Sequence, residues 1–207
     1  MPRAFTENER ARIRDKLIAA GKRLINIAGL RLLVVDEIAR QAGISKGSFY
    51  GFFPSREDFI LSVFESWEAE YRGALIREVT NGSGSARDRI ERFLLGAFDI
   101  LEREPGLARM GMKEIQSIIE GLPPERVAAH QATDIRVLEE TFSRWVDAGM
   151  LDPELAGSLR GLVPALFSIA MHREDFPPGS YHPTVKLIAE ALAMRVAAGA
   201  RGEGGER

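Results

Sequence analysis

Two helical patterns separated by a single glycine constrain this chain more than any other feature in it. Val35, Ile38, Ala39 and Ala42 recur at i, i+3, i+4 and i+7, the one-sided spacing of an amphipathic helix. Gly43 follows at once, where a left-handed backbone costs least. Ser45 then stands where a hydroxyl can accept from an unpaired backbone N–H and cap a second, shorter helix through Tyr50. On that helix Phe49, Phe52 and Phe53 share one side and are expected to anchor it, leaving Ser45, Lys46, Gly47, Ser48 and Tyr50 outside. A helix, a glycine turn and a short polar helix suit a motif whose second helix enters the DNA major groove.

The flanks extend the helical pattern in both directions. A first helix is expected from Glu7 to Ala28, with Ile13, Leu17, Ala20, Leu24 and Ile27 as its buried stripe, a Thr6/Glu9 capping box at its start and Gly29 at its end. A long helix begins at Ser55 after Pro54, carries Phe59, Ile60, Val63, Phe64, Trp67 and Tyr71, and continues through Ile76 as a strut between two domains. Ile90, Phe93, Leu94, Ala97, Phe98 and Leu101 define the next. Pro105-Gly106 breaks it, and a helix of roughly Leu107 to Ile119 ends at Gly121-Leu122-Pro123-Pro124. Gln131, Ile135, Leu138, Phe142 and Trp145 stripe another, closed by Gly149, and two last helices are expected near Pro153 to Met171 and Pro183 to Ala198. No strand alternation is visible, so the fold class is all-α, with about nine helices. The expected division is a helix-turn-helix domain over 1–54, a ligand-binding and dimerisation domain over 55–198, and a disordered tail over 199–207.

Net charge settles little until it is divided along the chain. The total is −2, but residues 1–64 hold 11 Lys/Arg against 7 Asp/Glu, leaving the rest acidic. A basic head on an acidic body suggests that only the head approaches phosphate. The chain has no Cys, which excludes disulfides, thiolate catalysis and thiolate metal sites. It carries no apolar run long enough to span a bilayer and no apolar signal core at its start, so a cytoplasmic location and no membrane partner are expected.

Ile38-Ala39, Ala42-Gly43-Ile44-Ser45-Lys46-Gly47-Ser48-Phe49-Tyr50, Phe53 and Ser55-Arg56-Glu57 together resemble the tetracycline-repressor (TetR) family of bacterial transcription regulators. The resemblance implies an all-helical homodimer whose N-terminal domains bind a palindromic double-stranded operator. It further implies a variable C-terminal domain that binds a small effector and alters the spacing of the two heads. Physically, Gly47 lets the backbone come close to DNA, Ser45, Lys46 and Tyr50 can donate to phosphates, and Ser48 is placed for a base edge. Arg56, where the family usually has Lys, is also expected to meet phosphate. Two departures stand out. Val34 replaces the usual Thr, removing a helix cap and a phosphate contact for which Arg31 is a possible substitute, and Gly51-Phe52 replaces an aromatic and a His. A smaller contact set is expected to follow.

In the body, Gly157, Gly161 and Ala165 recur every four residues, and Val185, Ala189, Ala193 and Val196 stripe the last helix. These two faces are expected to form a four-helix dimer interface. Phe98, Leu101, Met110, Met112, Phe142, Trp145, Phe167 and Met171 offer an apolar pocket lining, with His130, Asp134 and Thr141 on one side of a helix to orient a polar group. Pro164 implies a kink. His130 and Asp134 are too few to hold a metal alone, and neither a phosphate loop nor a nucleophile elbow is present, so no metal, cofactor or catalysis is expected. The sequence therefore reads as a ligand-responsive regulator, expected to be a repressor released by a small, mainly apolar effector. A second reading is a helical ligand-binding or interaction protein whose head has lost sequence-specific DNA binding, motivated by Val34 and Gly51-Phe52.

Overall fold

The computed structural model describes residues 5–104, 106 and 110–199. Its helices are α1 (Glu7–Ala28), α2 (Val35–Ala42), α3 (Lys46–Phe49), α4 (Arg56–Asn81), α5 (Ala86–Arg103), α6 (Met112–Glu120), α7 (Pro124–Asp147), α8 (Pro153–Met171) and α9 (Tyr181–Gly199). Single 3-10 turns occupy Gly29–Leu32 and Arg173–Asp175, and no strand occurs among the described residues. The helix expected from Leu107 is described from Met112 to Glu120, and Pro105, residues 107–109 and the tail from 200 lie outside the described residues. Two compact units result: residues 1–70 with 104–127, and residues 71–103 with 128–207. The first contains the expected head of residues 1–54 and adds the start of α4, all of α6 and the first turn of α7.

In the first unit, local signals and packing agree closely. Thr6 accepts from the Glu9 N–H while the Glu9 carboxylate accepts from the Thr6 N–H, so the capping box starts α1 as expected. Gly29 ends the helix at φ 65°. Leu17, Ala20, Leu24 and Ile25 bury its inner face, whereas Ile27 is 70% exposed. The stripe thus drifts to Ile25 in the last turns, as a 3.6-residue period does over a helix this long. Phe49, Phe53 and Phe59 are fully buried with ring centroids 4.9 to 5.5 Å apart, and they form the centre of this core. Phe52 does not join them and remains half-buried. Gly21 lets α1 meet α4 closely, since a Cβ there would lie 2.7 Å from Phe59 and 2.8 Å from Val63.

The 104–127 segment is fastened to the same core at several points. The Gly106 N–H donates to the Asn26 side-chain oxygen, and the Asn26 amide donates to Glu104. A Cβ on Gly106 would lie 2.4 Å from the Ile25 carbonyl oxygen, so only glycine fits there. Arg126 donates from Nε to Asp58 and from both terminal nitrogens to Glu65, each at 2.7 Å. That fork ties the start of α7 to α4 through planar, two-pronged geometry.

The second unit is organised around α5, which packs against both α8 and α9. Ile90, Phe93, Leu94 and Phe98 are buried, as are Val185, Ala189, Ala193 and Val196 of α9. Phe93 meets Trp145 edge-on at 4.9 Å, and Phe142 lies 5.5 Å from the same ring. Only the second half of the α7 stripe is internal. Phe142 and Trp145 are buried, whereas Gln131 is exposed and Ile135 is 54% exposed. Pro164 bends α8, whose two halves meet at 40°. Among the described residues no single helix is long and apolar enough to cross a membrane.

Candidate nucleic-acid interface

The α2–α3 turn is built by backbone rules before any side chain acts. Gly43 sits at φ 75°, a left-handed conformation that favours glycine, and the Ile44 N–H reaches back to the Ala39 carbonyl at 3.0 Å. Ser45 then caps α3 by accepting from the Ser48 N–H at 3.1 Å, and the two hydroxyls lie 2.9 Å apart. Fully buried Phe49 fixes the short helix to the core. Its position leaves Ser45, Lys46 and Gly47 exposed, Ser48 half-buried and Tyr50 46% exposed, with the Tyr50 ring edge-on to Phe49.

Gly47 is informative because the protein's own packing does not require it. Only the Ser45 hydroxyl, at 3.9 Å, lies near the position of a Cβ there. Glycine inside a helix costs roughly 0.5–1 kcal/mol relative to alanine. The open space outside Gly47 is therefore the feature that fold stability leaves unexplained.

Charge around the turn is more balanced than the residue count implied. Lys46 Nζ meets the Asp36 carboxylate at 3.0 Å, with both side chains exposed, and this bond holds the ammonium above its ordinary pKa. Glu37 accepts from Arg40 at 2.7 and 2.9 Å and from Gln41 at 2.8 Å, which holds its carboxyl below the usual range. Val34 is 52% exposed and gives α2 no side-chain cap, as its hydrocarbon side chain requires. Asp36 and Glu37 instead place negative charge in the first turn, where the helix dipole favours it.

Gly51-Phe52 has an internal use. Arg10 donates to the Gly51 carbonyl at 2.8 Å and lies over the Phe52 ring at 4.7 Å, while Phe5 packs against Phe52 at 6.1 Å. Arg56 also has partners within the head. Its Nε and one terminal nitrogen donate to the Leu33 and Leu30 carbonyls, each at 3.0 Å, and the other terminal nitrogen meets Glu57 at 3.5 Å. It ties the 3-10 turn to α4 while its side chain stays part-exposed. The Arg31 side chain lies outside the described residues.

The expected pocket lining falls in both units. Phe98, Phe142 and Trp145 are buried and Met171 is half-buried in the second unit, whereas Met110 is buried in the first. The side chains of Leu101, Met112 and Phe167 lie outside the described residues. Asp134 is paired with Arg72 at 2.8 Å, His130 lies 3.5 Å from Asp134, and buried Thr141 donates to the Val137 carbonyl. These polar groups are engaged within the fold. A shallow cleft of about 260 Å³ lies elsewhere, in the first unit, between Leu30, Arg56, Glu57, Glu114, Ser117 and Ile118.

The expected dimer face needs a correction on the last helix. Gly157, Gly161 and Ala165 are exposed, but Val185, Ala189, Ala193 and Val196 are consumed by the subunit's own core. The opposite side of α9 carries Leu187, 65% exposed, Ala191 and Met194, 56% exposed. Their i, i+4, i+7 spacing was visible in the sequence, as was Asp36 about two turns before the glycine.

Fold and site together define a helical protein with an N-terminal helix-turn-helix domain. Residues 17–63 match the family model described as bacterial regulatory proteins, tetR family. The chain thus carries a tetR-type helix-turn-helix head over those residues. It is 35% identical over 77 residues to the HTH-type transcriptional repressor NemR of Escherichia coli K12, covering 37% of this chain and 39% of that protein. It is 32% identical over 99 residues to the transcriptional regulator AcuR of Cereibacter sphaeroides, covering 48% and 42%. The matched stretches thus span about two-fifths of these relatives' lengths. A crystal structure of a TetR-family regulator from a Rhodococcus species superimposes with a TM-score of 0.64, covering 90% of this chain and 99% of that one at 18% identity.

Proposed function

We propose that the protein is a ligand-responsive, DNA-binding transcriptional regulator, acting as a repressor that holds a palindromic operator as a homodimer and releases it when a small, mainly apolar effector binds the body. The observation that carries this is the exposed row Ser45, Lys46, Gly47 and Tyr50 on a helix anchored from behind by Phe49. The row offers hydroxyl and ammonium donors beside a helical glycine that packing does not need. Phosphate contact and close backbone approach account for both.

Two-fold association is supported by the uncovered α8 face at Gly157, Gly161 and Ala165 beside the uncovered α9 stripe Leu187, Ala191 and Met194. Small residues permit close helix approach, and the exposed Leu and Met supply apolar area for a second copy. The effector arm of the reading rests on the helical body. With no Cys in the sequence thiol oxidation is not a route to release, and an effector acts by binding the two arrangements of the heads with different affinity. The test is competition by unlabelled DNA from upstream of the gene against random DNA at matched salt. The proposal expects upstream DNA to compete at least about a thousandfold better, as specific binders do. A ratio near one would instead support the helical ligand-binding or interaction protein.

A further inference from the structure

We propose that Asp36 is a built-in competitor for the DNA phosphate at Lys46, lowering the affinity of the head for any duplex irrespective of sequence. The inference rests on the reading of α3 as the DNA-facing helix. Its basis is the one ion pair that crosses the turn between α2 and α3 among the described residues: Lys46 Nζ to Asp36 Oδ2 at 3.0 Å. The neighbouring carboxylate, Glu37, is satisfied on its own helix by Arg40 and Gln41. Asp36 thus serves the α2 N-terminus together with Glu37, and of the two it alone also reaches across the turn to α3.

Both members of the pair are exposed, with side chains 55% and 62% accessible, and such pairs add little to folding. The same geometry matters more on DNA. A phosphate that reaches Lys46 must come within a few ångströms of a carboxylate already bonded to that ammonium, and the two anions repel. Either the pair breaks or the phosphate binds against the carboxylate's field. Both outcomes weaken backbone contact and leave base-edge contacts untouched, since phosphate contacts carry no sequence information.

The test is an anisotropy titration of the full chain with a labelled duplex of random sequence, for the wild type, Asp36→Asn, Asp36→Glu, Lys46→Ala and the Asp36→Asn/Lys46→Ala double variant. Asp36→Asn is expected to bind about two- to fivefold more tightly at low salt, with the gain fading as salt rises. Asp36→Glu, which keeps the charge, should stay near the wild type. Without Lys46 the Asn substitution should gain less, a coupling that a purely structural Asp36 would not produce. Unchanged or weaker binding by a folded Asp36→Asn, with clear wild-type binding, overturns this inference alone. Absence of salt-dependent binding in every protein overturns the DNA-facing reading and this inference with it.

Discussion

Arg56 illustrates how one side chain's partners decide its role. By sequence it stands at the start of a helix where the family places a cation, and a phosphate contact was the natural expectation. In the fold it spends its donors on the Leu30 and Leu33 carbonyls. Those carbonyls belong to a 3-10 turn, and no residue pattern announces which way such a turn will point them. Arg56→Met should therefore lower stability by about 1 kcal/mol, through loss of the Arg56 donor at the Leu33 carbonyl and at the Leu30 carbonyl, which keeps only the Leu33 N–H, and leave the salt dependence of DNA binding unchanged. Urea unfolding and a salt titration check the two halves separately, and a shallower salt slope would return Arg56 to the interface. Ser45, Phe49 and Gly43, by contrast, were legible because capping, burial and a left-handed turn are local rules that leave local marks.

At the scale of elements, helix existence was readable almost throughout, and the face each helix buries was readable only where one side was polar. The α2 pattern has a single apolar side, and all four of its residues are buried. The α9 helix is apolar nearly all round. Val185, Ala189, Ala193 and Val196 compete with Leu187, Ala191 and Met194, and only the presence of α5 on one side settles which stripe is internal. The same limit explains Ile135 on α7, which sits on a regular stripe yet lies exposed. The α8 face is simpler, because glycine and alanine leave it flat and nothing lies within 4 Å of a Cβ built at Gly157 or Gly161. Gly161→Leu should therefore leave the subunit folded and yield monomers by sedimentation velocity. A dimer of unchanged stability would move the interface elsewhere.

For the whole molecule, charge divides along the sequence and not along the two compact units, since the first unit also takes in the acidic residues Glu65, Glu68, Glu70, Glu104, Glu114, Glu120 and Glu125. The basic excess of residues 1–64 is spread over α1 and the turn region, while the acidic remainder lies in residues 65–207. Part of that basic excess is internally compensated, by Asp36 at Lys46 and by Glu37 at Arg40. Arg10 is likewise spent on Gly51 and Phe52. Lys46 is the cation on the exposed face of α3, so its contact with phosphate is the one that assigns that helix to the DNA. The most direct measurement is the salt dependence of DNA binding by the wild type and Lys46→Ala, followed by anisotropy over a range of salt concentrations. The account predicts weaker binding to every sequence and a salt slope shallower by roughly one unit, as for one lost phosphate contact. Coincident slopes, with Lys46→Ala fully folded, would contradict the assignment of α3 to the DNA.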